Sequence, residues 1–158
     1  MIQSLNHKSF IILLLLLVLA GCSSASQKRN AVVQTALKEV GTPYKSGGYK
    51  HTTGFDCSGL VYHAYKTNGY QIPRTTEKQY EYGSKVWLAR KPGDLLFFNT
   101  AWHWWSIPSW FRVNHVGIYI GDGKMVHAPS SGGKVHVVNN VFNNPYWQDR
   151  YKKTKRII

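Results

Sequence analysis

Asp56-Cys57-Ser58-Gly59 is the stretch of this chain that carries the most chemistry. A thiol at the first position of a helix meets unpaired backbone N–H groups and the positive end of the helix dipole. Both favour the thiolate, the reactive form of cysteine. The same N–H groups can hold the oxyanion that develops during acyl transfer, and Gly59 reads as clearance for an approaching backbone. A thiol nucleophile also needs a base, and seven histidines are available, at 7, 51, 63, 103, 115, 127 and 136. His63 follows the thiol by nearly two helical turns and reads as a surface residue. His51 lies in the loop before it, and His103 sits in a tryptophan-rich segment. His136 alternates with Val135 and Val137 and reads as facing solvent. His115 and His127 remain, opening and closing a hairpin.

Register decides whether those two can act together. A three-residue loop, Gly121-Asp122-Gly123, pairs Ile120 with Lys124 and sets Gly117 opposite His127. Both imidazoles then share a face as diagonal neighbours, roughly 7–8 Å apart. A two-residue Asp-Gly turn places them on opposite faces unless a bulge compensates, because a one-residue slip flips every side chain. The three-residue loop with glycine in the left-handed position is a common form and is the one adopted. On that register His115 is the general base and acid toward Cys57, and His127 orients it. Tyr44, on a Gly-rich loop, can direct its phenol at a substrate carbonyl. Zinc ligation by Cys57, His115 and His127 is the competing chemistry. The lack of a C-x-x-C pattern and the helix-N-terminal placement of the thiol count against it.

The elements that must position these residues follow from periodicity and caps. Asn30 as N-cap with Val33, Ala36, Leu37 and Val40 predicts a first helix, stopped at Gly41. Asp56 as N-cap predicts a second, to about Asn68, with Leu60, Val61, Ala64 and Tyr65 buried. Thr76 with Gln79 matches a capping box and predicts a short third helix to Tyr82. Strand character follows over 94–99, 115–120, 124–128 and 134–138, with 153–158 as an added edge strand. Helices first and strands afterwards indicate an α+β domain on an antiparallel sheet.

The N-terminus sets the compartment. An apolar run from Phe10 to Ala20 is short of the ~20 residues that span a bilayer and suits a signal-peptide core. It ends in Leu19-Ala20-Gly21-Cys22, which resembles the lipobox of bacterial lipoproteins, in which the cysteine is cleaved free and acylated. Residues 1–21 are therefore expected to be a signal peptide, 22–29 a lipidated flexible tether, and 30–158 the domain. Acyl chains contribute about 0.8 kcal/mol per buried CH₂, so anchoring is durable. With Cys22 committed to lipid, the other of the two cysteines has no disulfide partner. Without residues 1–21 the chain keeps 19 basic and 7 acidic side chains, a balance of +12. An exported protein so basic fits an anionic wall polymer or membrane surface, and export argues against nucleic acid.

These residues resemble the NlpC family of peptidoglycan peptidases. The matching stretches are Gly41-Thr42-Pro43-Tyr44 with Gly47-Gly48, Phe55 to Val61, Ile72-Pro73-Arg74-Thr75, Pro92 to Phe98, His115 to Tyr119, and Val126-His127-Ala128. They run in family order from about residue 31 to the C-terminus. The resemblance implies a papain-like α+β fold with a Cys57–His115–His127 triad, Tyr44 near the oxyanion, and no metal or organic cofactor. It implies hydrolysis of amide bonds in peptidoglycan stem peptides or cross-links, with Asp56, Ser58 and Arg74 as candidate substrate contacts. A papain-like acyltransferase acting on lipid, or a silent wall-binding lipoprotein, is the alternative. The implied place is the cell envelope, at the outer membrane facing the periplasm if the organism is Gram-negative. One departure is an aromatic insertion from Asn99 to Asn114 with Trp102, Trp104, Trp105 and Trp110. Trp104 and Trp105 are candidates to stack on substrate, and the insertion is also a candidate site for a protein partner.

Overall fold

The structure, a computed structural model, describes residues 11, 24–100, 113–131 and 133–158. Cys22, most of the segment before it, His103 and the four tryptophans of the insertion lie outside the described residues.

The chain is helical over 24–37 (α1), so Asn30 lies inside a helix and does not cap one. The expected tether from residue 24 onward is helix instead, built from good helix formers such as Ala25, Gln27, Lys28 and Arg29. Arg29 also has somewhere to pack: its stem lies against Gly93, and its guanidinium reaches the main-chain oxygen of Ile158. The buried stripe is Val32, Val33 and Ala36, while Val40 falls beyond the helix and is exposed.

A small hairpin, β1 (Tyr49–Lys50) and β2 (Gly54–Phe55), leads to α2 (Cys57–Thr67) and α3 (Thr76–Glu81). Asp56 caps α2 as expected. In α3 the cap is Thr75, one residue earlier than the capping box predicts. Gln79 is fully buried and sends its amide to the main-chain oxygens of Ser58 and Pro73, not back to its own helix start.

The remaining elements are β3 (Ser84–Lys85), β4 (Leu95–Phe98), β5 (His115–Gly121), β6 (Lys124–His127), β7 (His136–Val138), α4 (Pro145–Arg150) and β8 (Tyr151–Arg156). The six strands form one antiparallel sheet in the order β3-β8-β4-β5-β6-β7. The C-terminal strand is thus not at the edge, since β3 covers it. The fully buried Asp94 ties β4 to β8 through both of its oxygens, each 2.7 Å from Arg156.

Alternation splits the sheet's side chains between two cores. Leu95, Phe97, Val116, Ile118 and Val126 pack with α1 and α2, whereas Leu96, Phe98 and Met125 pack with Val141 and Trp147 on the other face. Helix α4 supplies Trp147 to that second layer, capped by Asn144 with Pro145 at its start. Helices packed on an antiparallel sheet are the α+β architecture expected. Among the described residues no helix is long and apolar enough to cross a membrane.

Candidate active site

Cys57 is the first residue of α2, half-buried and not in a disulfide. Its Sγ lies 3.6 Å from Thr76 Oγ1 at the start of α3 and 3.9 Å from the main-chain oxygen of Asn114. The N–H of Val116 also reaches the sulfur. The residues on either side of His115 therefore both touch the thiol through their backbones. Thr76 was not read as a site residue, because a threonine opening a short helix gives no sign of what its hydroxyl faces.

The electrostatics differ from the expectation of a stabilised thiolate. Burial pushes the Cys57 thiol above its ordinary value and the Asp56 carboxylate adds to the rise. The Thr76 hydroxyl and the Val116 and Ser58 N–H groups pull only part of the way back. Desolvation outweighs the helix N-terminus here. His115 is pushed the opposite way, to about 4, first by burial and then by His136. Near neutral pH Cys57 rests as a thiol and His115 as a neutral imidazole, so attack needs proton transfer to a base.

His115 and His127 share a face: His115 Nε2 and His127 Nδ1 are 2.8 Å apart. The route to that geometry is not the three-residue loop. Gly121 pairs with Lys124 across a two-residue Asp122-Gly123 turn, and Ile120 forms a bulge between the Tyr119–Met125 and Gly121–Lys124 pairs. Asp122 and Gly123 have φ of 50° and 69°, the left-handed pair that a type I′ turn requires and that suits strand twist. The bulge then restores the face that the shorter turn would have flipped.

His127 Nε2 continues to His136 Nε2 at 3.1 Å, and His136 Nδ1 meets the main-chain oxygen of Lys134 at 3.2 Å. His136 was expected to face solvent. The alternation around it holds, with Val135 fully buried in the helix-side core. The opposite face is occupied at this point, because β7 pairs His136 directly with His127. His127 is lowered still further than His115, by burial first and then by the other two imidazoles. A cavity of about 210 Å³ opens beside the three histidines, bordered also by Tyr146 and Trp147. Among the described residues no group of three or more His, Cys, Asp or Glu side chains could hold a metal ion.

The predicted substrate contacts Asp56, Ser58 and Arg74 do come together, but on one another. Asp56 accepts from the Gly59 N–H at 2.6 Å and the Gly47 N–H at 2.9 Å. Arg74 grips both Asp56 oxygens at 3.0 and 2.8 Å and also donates to Ser58 Oγ and to the Gly48 main-chain oxygen. The three side chains lock the Gly-rich loop onto the start of α2. Gly59 belongs to the same lock, since a Cβ there would lie 1.9 Å from the Gly48 oxygen. Its lack of a side chain serves packing inside the protein, contrary to the expected clearance for substrate. Tyr44 stands close enough to Cys57 and Asp56 that their negative charges, after burial, raise its phenol; a hydrogen bond from Ser46 works the other way. His51 and His63 both meet the Glu39 carboxylate, at 2.7 and 3.3 Å.

The NlpC/P60 family profile matches residues 41–156, which contain every element of this site. The chain belongs to the NlpC/P60 family. It is 36% identical to the murein DD-endopeptidase MepH of Escherichia coli over 84% of its own length and 47% of that protein. The chain spans under half the length of this and other curated relatives it matches. Among solved structures, the peptidoglycan hydrolase RipB of Mycobacterium tuberculosis superposes with a TM-score of 0.68 at 32% identity, covering 86% of this chain and 67% of RipB. RipD from the same organism, described as a non-catalytic NlpC/p60 domain protein adapted to peptidoglycan binding, superposes at 0.61 with 26% identity, covering 83% of this chain and 98% of RipD.

Proposed function

We propose that this chain is a cell-wall cysteine endopeptidase that hydrolyses amide bonds in peptidoglycan stem peptides or cross-links. The observation that carries the reading is a thiol on the first residue of a helix, held against the backbone on both sides of a histidine that is itself bonded to a second histidine. Family membership and the named activities of MepH and RipB support the substrate class.

In the proposed reaction His115 Nδ1, the nitrogen not engaged by His127, takes the Cys57 proton as Sγ attacks the carbonyl carbon. The oxyanion is held by N–H groups at the start of α2 and by the Tyr44 hydroxyl. Collapse breaks the C–N bond, the imidazolium protonates the leaving amine, and an acyl-enzyme forms on Cys57. Water, deprotonated by His115, then releases the acid and restores the thiol.

The envelope setting is part of the proposal. Leu19-Ala20-Gly21-Cys22 supports lipid anchoring at Cys22, and the balance of +13 over the whole sequence suits an anionic wall or lipid surface. Cys22→Ala should move the protein from the membrane to the soluble fraction.

Incubating the full chain with purified muropeptides and resolving the products by mass spectrometry tests the activity. Cleavage by the wild type and none by Cys57→Ala is the expected result. Binding to peptidoglycan without cleavage of any stem peptide would favour the silent wall-binding alternative that RipD exemplifies.

A further inference from the structure

Three imidazoles, not two, stand in line behind the thiol, and the line ends on a main-chain oxygen. A neutral imidazole has one N–H and one bare nitrogen, so each hydrogen bond along such a line dictates the next. The Lys134 carbonyl can only accept. His136 must therefore donate from Nδ1, which leaves its Nε2 bare. His127 must then donate from Nε2 toward His136, leaving its own Nδ1 bare. His115 in turn donates from Nε2 to His127, and its Nδ1 is left without a hydrogen.

That outcome is the one a base requires. With the line reversed, His115 would carry its hydrogen on Nδ1 and could not receive the thiol's. We infer that His136 is a positioning residue, through which the Lys134 carbonyl fixes the tautomers of His127 and His115. The inference rests on the reading of His115 as the base toward Cys57.

Two further observations hold the line together. The His127–His136 contact is a directly paired position of β6 and β7, so strand register builds it and no loop has to close on it. Burial keeps His115 and His127 neutral, and for neutral rings the argument from tautomers applies.

The test compares wild type, His136→Gln and His136→Phe as full chains. Glutamine can present an amide oxygen to His127 Nε2, whereas phenylalanine cannot. Loss of tautomer control is severe when the orienting residue itself is changed. One bond further out, His136→Phe should lower kcat on the order of tenfold with little change in KM, and His136→Gln should recover most of it. ¹⁵N spectra of the imidazoles should show His115 and His127 as Nε2–H tautomers in the wild type and a tautomer mixture in His136→Phe. An Nδ1–H tautomer of His115 in the wild type, or full activity of folded His136→Phe, overturns the inference. Should the wild type cleave no peptide while its spectra show Nε2–H at both rings, the tautomer line stands and the endopeptidase reading falls.

Discussion

Gly59→Ala separates two explanations for the glycine that follows the nucleophile. In an ordinary helix this change stabilises by up to about 1 kcal/mol. Here the new Cβ would lie 1.9 Å from the Gly48 oxygen, with Asp56 Oδ1 at 2.9 Å and Arg74 Nη2 at 3.0 Å. Relief requires the 46–48 loop to retreat by more than 1 Å, roughly the shortfall from normal carbon–oxygen contact. Gly48 is itself closely packed, since a Cβ built on it would lie 2.3 Å from the Gly54 oxygen. Retreat would break the bonds that Asp56 N–H and Arg74 make to the Gly48 oxygen. One is neutral and worth about 1 kcal/mol, and one involves a charged donor and is worth about 2 kcal/mol. Set against the helical gain, the net loss is about 2 kcal/mol, a fall of roughly 8 °C in Tm for a domain of this size. Calorimetry with muropeptide kinetics on the same preparation is the measurement. An unchanged or raised Tm accompanied by a higher KM would refute the packing argument and restore substrate clearance as the reason for the glycine.

The other expectations are briefer. Arg74→Lys keeps the charge but loses the fork that grips both Asp56 oxygens and Gly48 together, and it should lower stability by about 1–2 kcal/mol in chemical denaturation. Acidification should destabilise the fold through His115. Its folded value of about 4 lies below its unfolded one near 6.5, so the unfolded chain takes the proton first. Stability is then fully present above about pH 6.5 and declines through the window to pH 4, by roughly 3 kcal/mol. Urea midpoints across that range should flatten in His115→Gln, and equal slopes in the two proteins would count against the assignment. Tyr44→Phe should reduce kcat by about a hundredfold with KM nearly constant if its hydroxyl holds the oxyanion; a change confined to KM would make it a binding residue.

Much of this arrangement could be read from local rules. Asp56 as a cap, the apolar stripe Leu60-Val61-Ala64-Tyr65 and the strand run at 95–98 depend on neighbours within one turn or one pleat, and each is where periodicity puts it. What escaped depends on partners distant in sequence. Burial raises the Cys57 thiol, and its neighbours Thr76, Asn114 and Val116 come from distant parts of the chain, which a helix-dipole argument cannot weigh. Asp56, Ser58 and Arg74 are polar, close to the nucleophile and plausible as substrate contacts. Only the folded loop reveals that they also hydrogen-bond one another. His136 was misread because an alternating strand tells which residues share a face, not what covers that face. Helix α4 left a usable signal, Asn144-Pro145, which pairs a cap with the residue best suited to the first turn.

The bulge at Ile120 has a consequence for how the loop between His115 and His127 can vary. Side-chain facing in a strand has only two values, so what matters between the two histidines is whether the count of intervening residues is odd or even. The turn and the bulge each contribute one unit to that parity, and their contributions cancel. Two residues added together, or one added with the bulge removed, would leave the imidazoles facing as they do now. With the turn and the bulge kept as they are, a single insertion or deletion within the paired stretches would turn one of them to the wrong side while disturbing neither histidine itself. Between the histidines the paired stretches can thus change length in steps of two, whereas a step of one must be taken up by the turn or by a bulge.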